Sequence, residues 1–228
     1  MRVSAVMPVF NGERYLAEAL DSVIAQARPA DEIIVVDDGS TDASAAIVAR
    51  YRNVRHVYQP NAGCAAARNR GVSEATGDVV AFIDQDDLWM PDHLARMTDV
   101  LRGDGEIAFA ACAVENFLSP DVPFAPADFD PLMLKHPQHG MGTNTLVVRR
   151  NAFARVGPFD VSMVPIDDSD WLLRAIDAGL RFVHLDQPSV RRRIHAGNQS
   201  TWTRSSPPIA RLMARSLHAS IQRRRVSP

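Results

Sequence analysis

Residues 79–87 read VVAFIDQDD. Five apolar residues in succession suffice for a short strand, and the lack of alternation fits a strand covered on both faces. The run stops at Asp84-Gln85-Asp86-Asp87, so the strand delivers carboxylates to its own carboxyl end. Toward the N-terminus the same construction recurs. Residues 3–9 form an apolar strand that closes at Pro8, which lacks the N–H a central ladder requires, and the turn signal Asn11-Gly12 follows. Residues 33–36 lead into Asp37-Asp38-Gly39-Ser40-Thr41, and residues 54–58 precede Asn61 and Gly63. Between these strands lie helical patterns. Tyr15, Leu16, Ala19, Leu20, Val23 and Ile24 share one helix face, Ser40 or Thr41 is placed to cap a helix through Arg50, and residues 65–74 form an alanine-rich helix.

Strands alternating with helices predict an α/β fold with a Rossmann-like, mostly parallel central sheet flanked by helices. Ligands of such sheets bind outside the carboxyl ends of the strands. Asn11, Asp37, Asp38, Asn61, Asp84 and Asp86 all fall at those ends, which predicts one shared site.

The second half is less regular. Helices are expected over residues 91–101, 170–178 (Trp171, Leu172, Ala175 and Ile176 inward) and 209–221, the last with Ile209, Leu212, Met213, Leu217 and Ile221 on one stripe. Strands are expected at 107–114, 145–148, 182–185 and 190–194. Residues 119–142 carry five prolines and no period, and a loop of that length in a compact domain is usually functional.

Composition excludes several classes. The chain has 228 residues, 46% hydrophobic and 23% charged, with a formal charge of −2, which is the range of an ordinary globular domain. No apolar run approaches the roughly 20 residues of a membrane-spanning helix, and residues 1–15 lack the pattern of a secretory signal, so a cytoplasmic protein is expected. Two cysteines cannot form a disulfide scaffold. The charge is unevenly spread. Residues 188–228 hold nine arginines and no acid, leaving 16 basic against 27 acidic residues before them, a formal −11. Guanidinium is permanently charged and suits bidentate contact with phosphate or carboxylate. No aromatic-interleaved recognition motif accompanies it, so no nucleic-acid partner is expected.

Asp84 and Asp86, at i and i+2 of a strand-end turn, can converge on one cation, and Mg²⁺ and Mn²⁺ prefer carboxylate oxygens while keeping positions open for phosphates. Asp37 and Asp38 read either as helix caps or as acceptors for a base or ribose. No G-x-G-x-x-G follows the first strand and no P-loop occurs, which removes ordinary dinucleotide and P-loop readings.

Six segments in order, PVFNG (8–12), VVDDGSTD (35–42), NAGCAAARNRG (61–71), GDVVAFIDQDD (77–87), DDSDWLLR (167–174) and RIHAGN (193–198), resemble the family 2 glycosyltransferases of the GT-A fold. The resemblance runs from the first strand to about Ser200 and carries no motif in 201–228. It implies an inverting transferase that moves a sugar from a nucleotide-sugar donor (UDP-, GDP- or dTDP-linked) to a sugar or lipid-linked acceptor hydroxyl, in envelope polysaccharide or glycoconjugate synthesis. A non-catalytic nucleotide-sugar binder with a degenerate transferase fold is the alternative. By the same resemblance Pro8, Val9, Phe10, Asn11, Asp37, Asp38, Asn61, Arg68, Asp84 and Gln85 bind the nucleotide sugar. Asp86 and His195 hold Mn²⁺ or Mg²⁺, and Asp168 is the base. The family pair is usually Glu-Asp where this chain has Asp167-Asp168, and Asp170 is a third candidate on the same turn. The implied organisation is one GT-A domain over 1–205, a nucleotide-binding half (1–88) and a smaller irregular acceptor half (89–205), with a basic helix or tail over 206–228. Docking of that tail on the acidic body, peripheral contact with the inner face of a membrane, and pairing into a homodimer are the remaining partner expectations.

Overall fold

The structure is a computed structural model that describes residues 1–120, 122, 129–195, 197, 198 and 207–226, with side chains from 211 to 220 alone in the last segment. Parts of the proline-rich stretch, the 205/206 boundary, and the side chains of Ile209 and Ile221 lie outside the described residues.

Four strands, β1 (Val3–Val9), β2 (Glu32–Asp37), β3 (Val54–Tyr58) and β4 (Val79–Phe82), form the first half with helices α1 (Leu16–Ile24), α2 (Ser44–Val48) and α3 (Cys64–Glu74) between them. The second half adds β5 (Leu88–Trp89), α4 (His93–Gly103), β6 (Ile107–Leu118), β7 (Val147–Arg149), α5 (Arg150–Val156), α6 (Asp167–Asp177), β8 (Arg181–Ile194) and α7 (Pro207–Val226). All eight strands join one sheet in the order β3-β2-β1-β4-β7-β6-β8-β5. The β1–β2, β1–β4, β2–β3 and β6–β8 pairs are parallel; β7 runs antiparallel to both neighbours, and β5 to β8. This is the mixed, mostly parallel α/β sheet that the strand–helix alternation predicts.

Burial explains the composition of the strands. β1 and β4 are buried along their whole length, so neither face needs polar residues. One apolar layer lies under α1 and α4, through Leu16, Leu20, Leu94 and Met97; the other lies under α3 and α6, through Ala65, Ala67 and Trp171. The alanines of α3 let it approach β1 closely. A methyl at Gly71 would overlap Val6 Cγ1, so the helix can pass only where that residue has no side chain.

Several expectations need correction. The helix after β2 begins at Ser44, not at Ser40 or Thr41, and it ends at Val48, short of Arg50. Ser40 Oγ instead accepts from Asn11 N–H and Thr41 N–H donates to Asn11 Oδ1, so both candidate caps are consumed by the β1–α1 turn. Asp42 then accepts from Ser44 N–H and Glu13 N–H. Ile24 and Ile176, assigned to buried faces, are exposed. Each lies one residue, about 100° of helix, beyond the last buried position. The two short strands expected at 182–185 and 190–194 are one bulged strand, because β6 offers a continuous parallel edge from Ile107 to Leu118. On α7, Met213 and Leu217 face outward, and the side that packs on α6 carries Ser216 and Ser220, bonded to Asp170 and Asp177.

Candidate active site

A cleft of about 880 Å³ opens at the carboxyl ends of β1, β4 and β6. Its walls include Pro8, Phe10, Asn11, Arg68, Asp84, Gln85, Asp86, Asp168 and His195 from the sequence-derived set. Val9, Asp37, Asp38 and Asn61 do not line it.

Local sequence accounts for each wall. Asn11 sits at positive φ, which asparagine tolerates, and the turn it makes leaves Phe10 47% exposed. Gln85 locks that turn to the end of β4: its Oε1 accepts from Phe10 N–H at 2.8 Å and its Nε2 donates to Phe10 O at 3.1 Å. Asp37 and Asp38 are buried and engaged by protein donors. Asp37 accepts from Ser40 N–H and faces His56; Asp38 accepts from Gln59 Nε2, Ala62 N–H and Gly63 N–H. Asp38 thereby shapes the loop that holds Asn61 and leads into α3.

Arg68 projects from α3 between two acidic groups far apart in sequence. One guanidinium nitrogen lies 2.8 Å from Asp167 Oδ2 and another 3.0 Å from Asp84 Oδ1. A single buried cation thus ties the end of β4 to the first turn of α6. Burial raises the Asp84 carboxyl above the usual carboxylate range, against the pull of Arg68, and the charge of Asp86 adds to the rise. Burial likewise raises Asp168, with Asp167 adding to it and Arg68 opposing. A carboxyl raised in a cleft accepts a proton more readily than the same group in water, which suits a general base. Cys64, also on the wall, is held by burial at about 12 and stays a thiol.

Asp86 is held by three neighbours. His195 Nε2 lies 2.8 Å from its Oδ2, Asn198 Nδ2 lies 3.3 Å from the same oxygen, and Arg193 Nε donates to the Asp86 carbonyl. Gly197 N–H donates to His195 Nδ1 at 3.1 Å, which assigns the tautomer: Nε2 carries the proton and donates to Asp86. In this arrangement the ring orients the carboxylate, and ligation by its Nε2 would require the Gly197 bond to break. Both hydrogen bonds to Asp86 fall on Oδ2 and none on Oδ1 among the described residues. An oxygen kept open in an acidic turn with a raised neighbour fits a hard divalent cation.

Several residues of this site are missed by the sequence reading. Asp87 is fully buried, accepting from Arg193 N–H at 2.9 Å and from Asn144 Nδ2, and burial with the adjacent Asp86 and Asp84 charges pushes it well up. Arg193, 2% exposed, also reaches Glu18 at 2.6 Å and lies over the rings of Tyr15 and Phe117. Tyr15 in turn packs on His195 with ring centroids 4.7 Å apart. Arg193 and Asn198 stand at the ends of the RIHAGN segment, which is the signal that could have found them; Asn144 has none.

The family model described as glycosyl transferase family 2 matches residues 4–154. An uncharacterized glycosyltransferase of Rickettsia typhi is 30% identical over 209 residues, covering 85% of this chain and 64% of that protein. One of Nostoc sp. is 39% identical over 107 residues, covering 45% and 33%. The chain therefore spans between about a third and two thirds of these curated relatives. Among solved structures, S. aureus TarS 1-349 in complex with UDP-GlcNAc superposes with a TM-score of 0.73 at 20% identity, over 95% of this chain and 65% of that one. Among the described residues no helix is long and apolar enough to cross a membrane.

Proposed function

We propose that this chain, which belongs to glycosyl transferase family 2, moves a sugar from a nucleotide-diphosphate donor to an acceptor hydroxyl by a single in-line displacement with inversion. The observation that carries the reading is the Arg68 fork, which fixes the Asp84–Asp86 turn and the Asp167–Asp168 turn on walls of the same cleft. The structural relative bound to UDP-GlcNAc supports a nucleotide-sugar donor. Residues 1–88 form its donor half and 89–205 its acceptor half.

The chain's own groups divide the chemistry. Phe10 and Asn11, with Gln85 holding their turn, flank the donor, and Arg68 keeps Asp84 directed at it. Asp86 would hold Mn²⁺ or Mg²⁺, which supplies charge stabilisation for the departing diphosphate. Asp168 takes the acceptor proton as the hydroxyl attacks, a step worth roughly 10²–10⁴-fold. Its position in the first turn of α6 favours the carboxylate through the helix dipole, which opposes the upward pull of burial without cancelling it.

The test is nucleotide release and product formation over a panel of UDP-, GDP- and dTDP-sugars with Mn²⁺ and mixed acceptors. Asp86→Ala is expected to lose metal-dependent donor binding. Asp168→Asn should bind donor normally and transfer about 10²–10⁴-fold more slowly. Tight donor binding by the unaltered chain with no turnover in any acceptor mixture would replace the enzyme by a nucleotide-sugar binder, and full activity in Asp168→Asn would move the base to Asp167 or Asp170.

A further inference from the structure

A second cluster lies on the acceptor side, where nothing in the reaction above requires it. His184 and Asp186 stand two apart on β8, and their side chains turn toward one another, His184 Nδ1 lying 3.6 Å from Asp186 Oδ1. Between them and Pro188 the β6–β8 register slips, from Cys112 opposite Leu185 to Ala113 opposite Pro188. A bulge of this kind re-aims side chains, and bulges recur beside active sites. His139 arrives from the other direction, on the segment that Gln138 ties to β6 by exchanging two backbone hydrogen bonds with Val114, both 2.8 Å.

The three side chains meet through specific atoms. His139 Nδ1 and His184 Nδ1 are 3.4 Å apart, and His184 Nδ1 is 3.6 Å from Asp186 Oδ1. One ligand atom from each of the three lies within 4.8 Å of the others. A tetrahedral ion with bonds of about 2.0–2.1 Å to nitrogen and oxygen sets its ligand atoms about 3.3–3.4 Å apart. The histidine pair already has that spacing. As a hydrogen bond the same contact is poor, since 3.4 Å is long and one nitrogen must accept from the other. The Asp186 contact is longer still. His184 makes no compensating bond elsewhere: its Nε2 is buried without a partner among the described residues.

We infer that His139, His184 and Asp186 form a second metal site, taking a borderline divalent cation of the Zn²⁺ type and leaving a fourth position for water or substrate oxygen. The donor set decides the class. Two neutral imidazoles and one carboxylate suit Zn²⁺ and its neighbours, whereas Mg²⁺ wants all-oxygen ligation. An anion is disfavoured by Asp186. The ion would clip the segment carrying His139 to β8. That segment continues into Gly140, where a side chain would collide with Cys112 O and Thr145, so the clip fixes the wall of the cleft that runs from Gln138 to Asn144.

The test uses the untagged full chain freed of metal and titrated with Co²⁺, whose d–d bands report a tetrahedral nitrogen/oxygen site, followed by displacement with Zn²⁺ and a thermal shift. One equivalent of Co²⁺ should give those bands and be displaced by Zn²⁺. His139→Ala, an exposed position, should abolish them, and Asp186→Ala should weaken binding at least tenfold. His184→Gln, checked for folding by circular dichroism, should behave as His139→Ala. Asp86→Ala should leave the spectrum unchanged, which separates this site from the proposed donor metal and keeps the outcome independent of transferase activity. Absence of the bands and of a Zn²⁺-dependent thermal shift in the unaltered chain, or their survival in folded His139→Ala, would overturn the assignment.

Discussion

His93 gives the sharpest link between burial and a measurable quantity. It opens α4 with no solvent exposure, stacked on Trp89 at 4.7 Å and 23°. Its Nδ1 contacts Ser189 Oγ at 2.9 Å, and its Nε2 is buried without a partner among the described residues. A charged ring there would have neither water nor an acceptor on one side, and it would sit at the positive end of a helix dipole. Burial accordingly lowers the pKa to about 3, against about 6.5 for an unperturbed histidine. The folded value lies below the unfolded one, so between these limits the unfolded chain binds more protons and stability rises with pH. The contribution is fully present above about pH 6.5 and is lost as pH falls toward 3. Integrating between pH 7 and pH 5 gives a loss of about 2 kcal/mol from this one ring. For a chain of this size that corresponds to about 4–8 °C in Tm. The assay is urea unfolding followed by circular dichroism at both pH values, for the unaltered protein and for His93→Gln, which cannot gain the proton. Every other titrating group is common to both and cancels. The variant should be less stable at pH 7, having lost the ring's packing, yet lose about 2 kcal/mol less than the unaltered chain on going to pH 5. Equal pH dependence in the two proteins would refute the account, since it would mean the ring protonates alike in the folded and unfolded states.

Two further changes probe the packing that positions the cleft. Gly71→Ala gains helix propensity of up to about 1 kcal/mol, but the methyl overlaps Val6; a net loss of about 1–2 kcal/mol is expected in chemical denaturation, and Val6→Ala in the same chain should recover part of it. Arg193→Lys keeps the charge but cannot span Glu18, the Asp86 carbonyl and two ring faces together, so a loss of about 1–3 kcal/mol in stability and weaker donor binding by calorimetry are expected; unchanged values in both would show that the fork geometry is irrelevant.

The first half is legible in the sequence because its information is local. Each strand is a short apolar run, each ends in its own polar turn, and parallel pairing of β3, β2, β1 and β4 brings those ends together. What lies beyond local reach is how a side chain spends its hydrogen bonds. Asp37, Asp38, Asp84 and Asp86 look alike in the sequence as carboxylates at strand ends. Folding separates them, because the loops after β2 place backbone N–H groups against the first two, whereas the cleft opens over the second two. Asn144 illustrates the opposite limit. It sits 57 residues from Asp87, in a segment without period, and only the antiparallel insertion of β7 between β4 and β6 brings it to the buried carboxylate.

The arginine-rich C-terminal part shows why charge counted along a chain differs from charge placed in space. The composition changes at Pro188, which invites a boundary there, yet Pro188 lies inside β8 and opposite Ala113 of the central sheet. The run Arg191-Arg192-Arg193 is therefore a strand, and strand alternation sorts it. Arg191 and Arg193 share a face and both lie over Phe117, at 4.5 and 4.7 Å from the ring centroid. Arg192, between them, is the member that lines the cleft. Depth sorts them again. Arg191 is exposed, while Arg193 is buried and neutralised by Glu18, a residue of the acidic first half. On α7 the only described arginine paired with an acid is Arg215, 3.9 Å from Asp160 and 61% exposed, a contact worth little in water. The same residue type thus faces solvent, lines the cleft and anchors the Asp86 turn at three successive positions of β8, and what separates these roles is the two-residue period of the strand together with the Glu18 carboxylate that the first half places against Arg193.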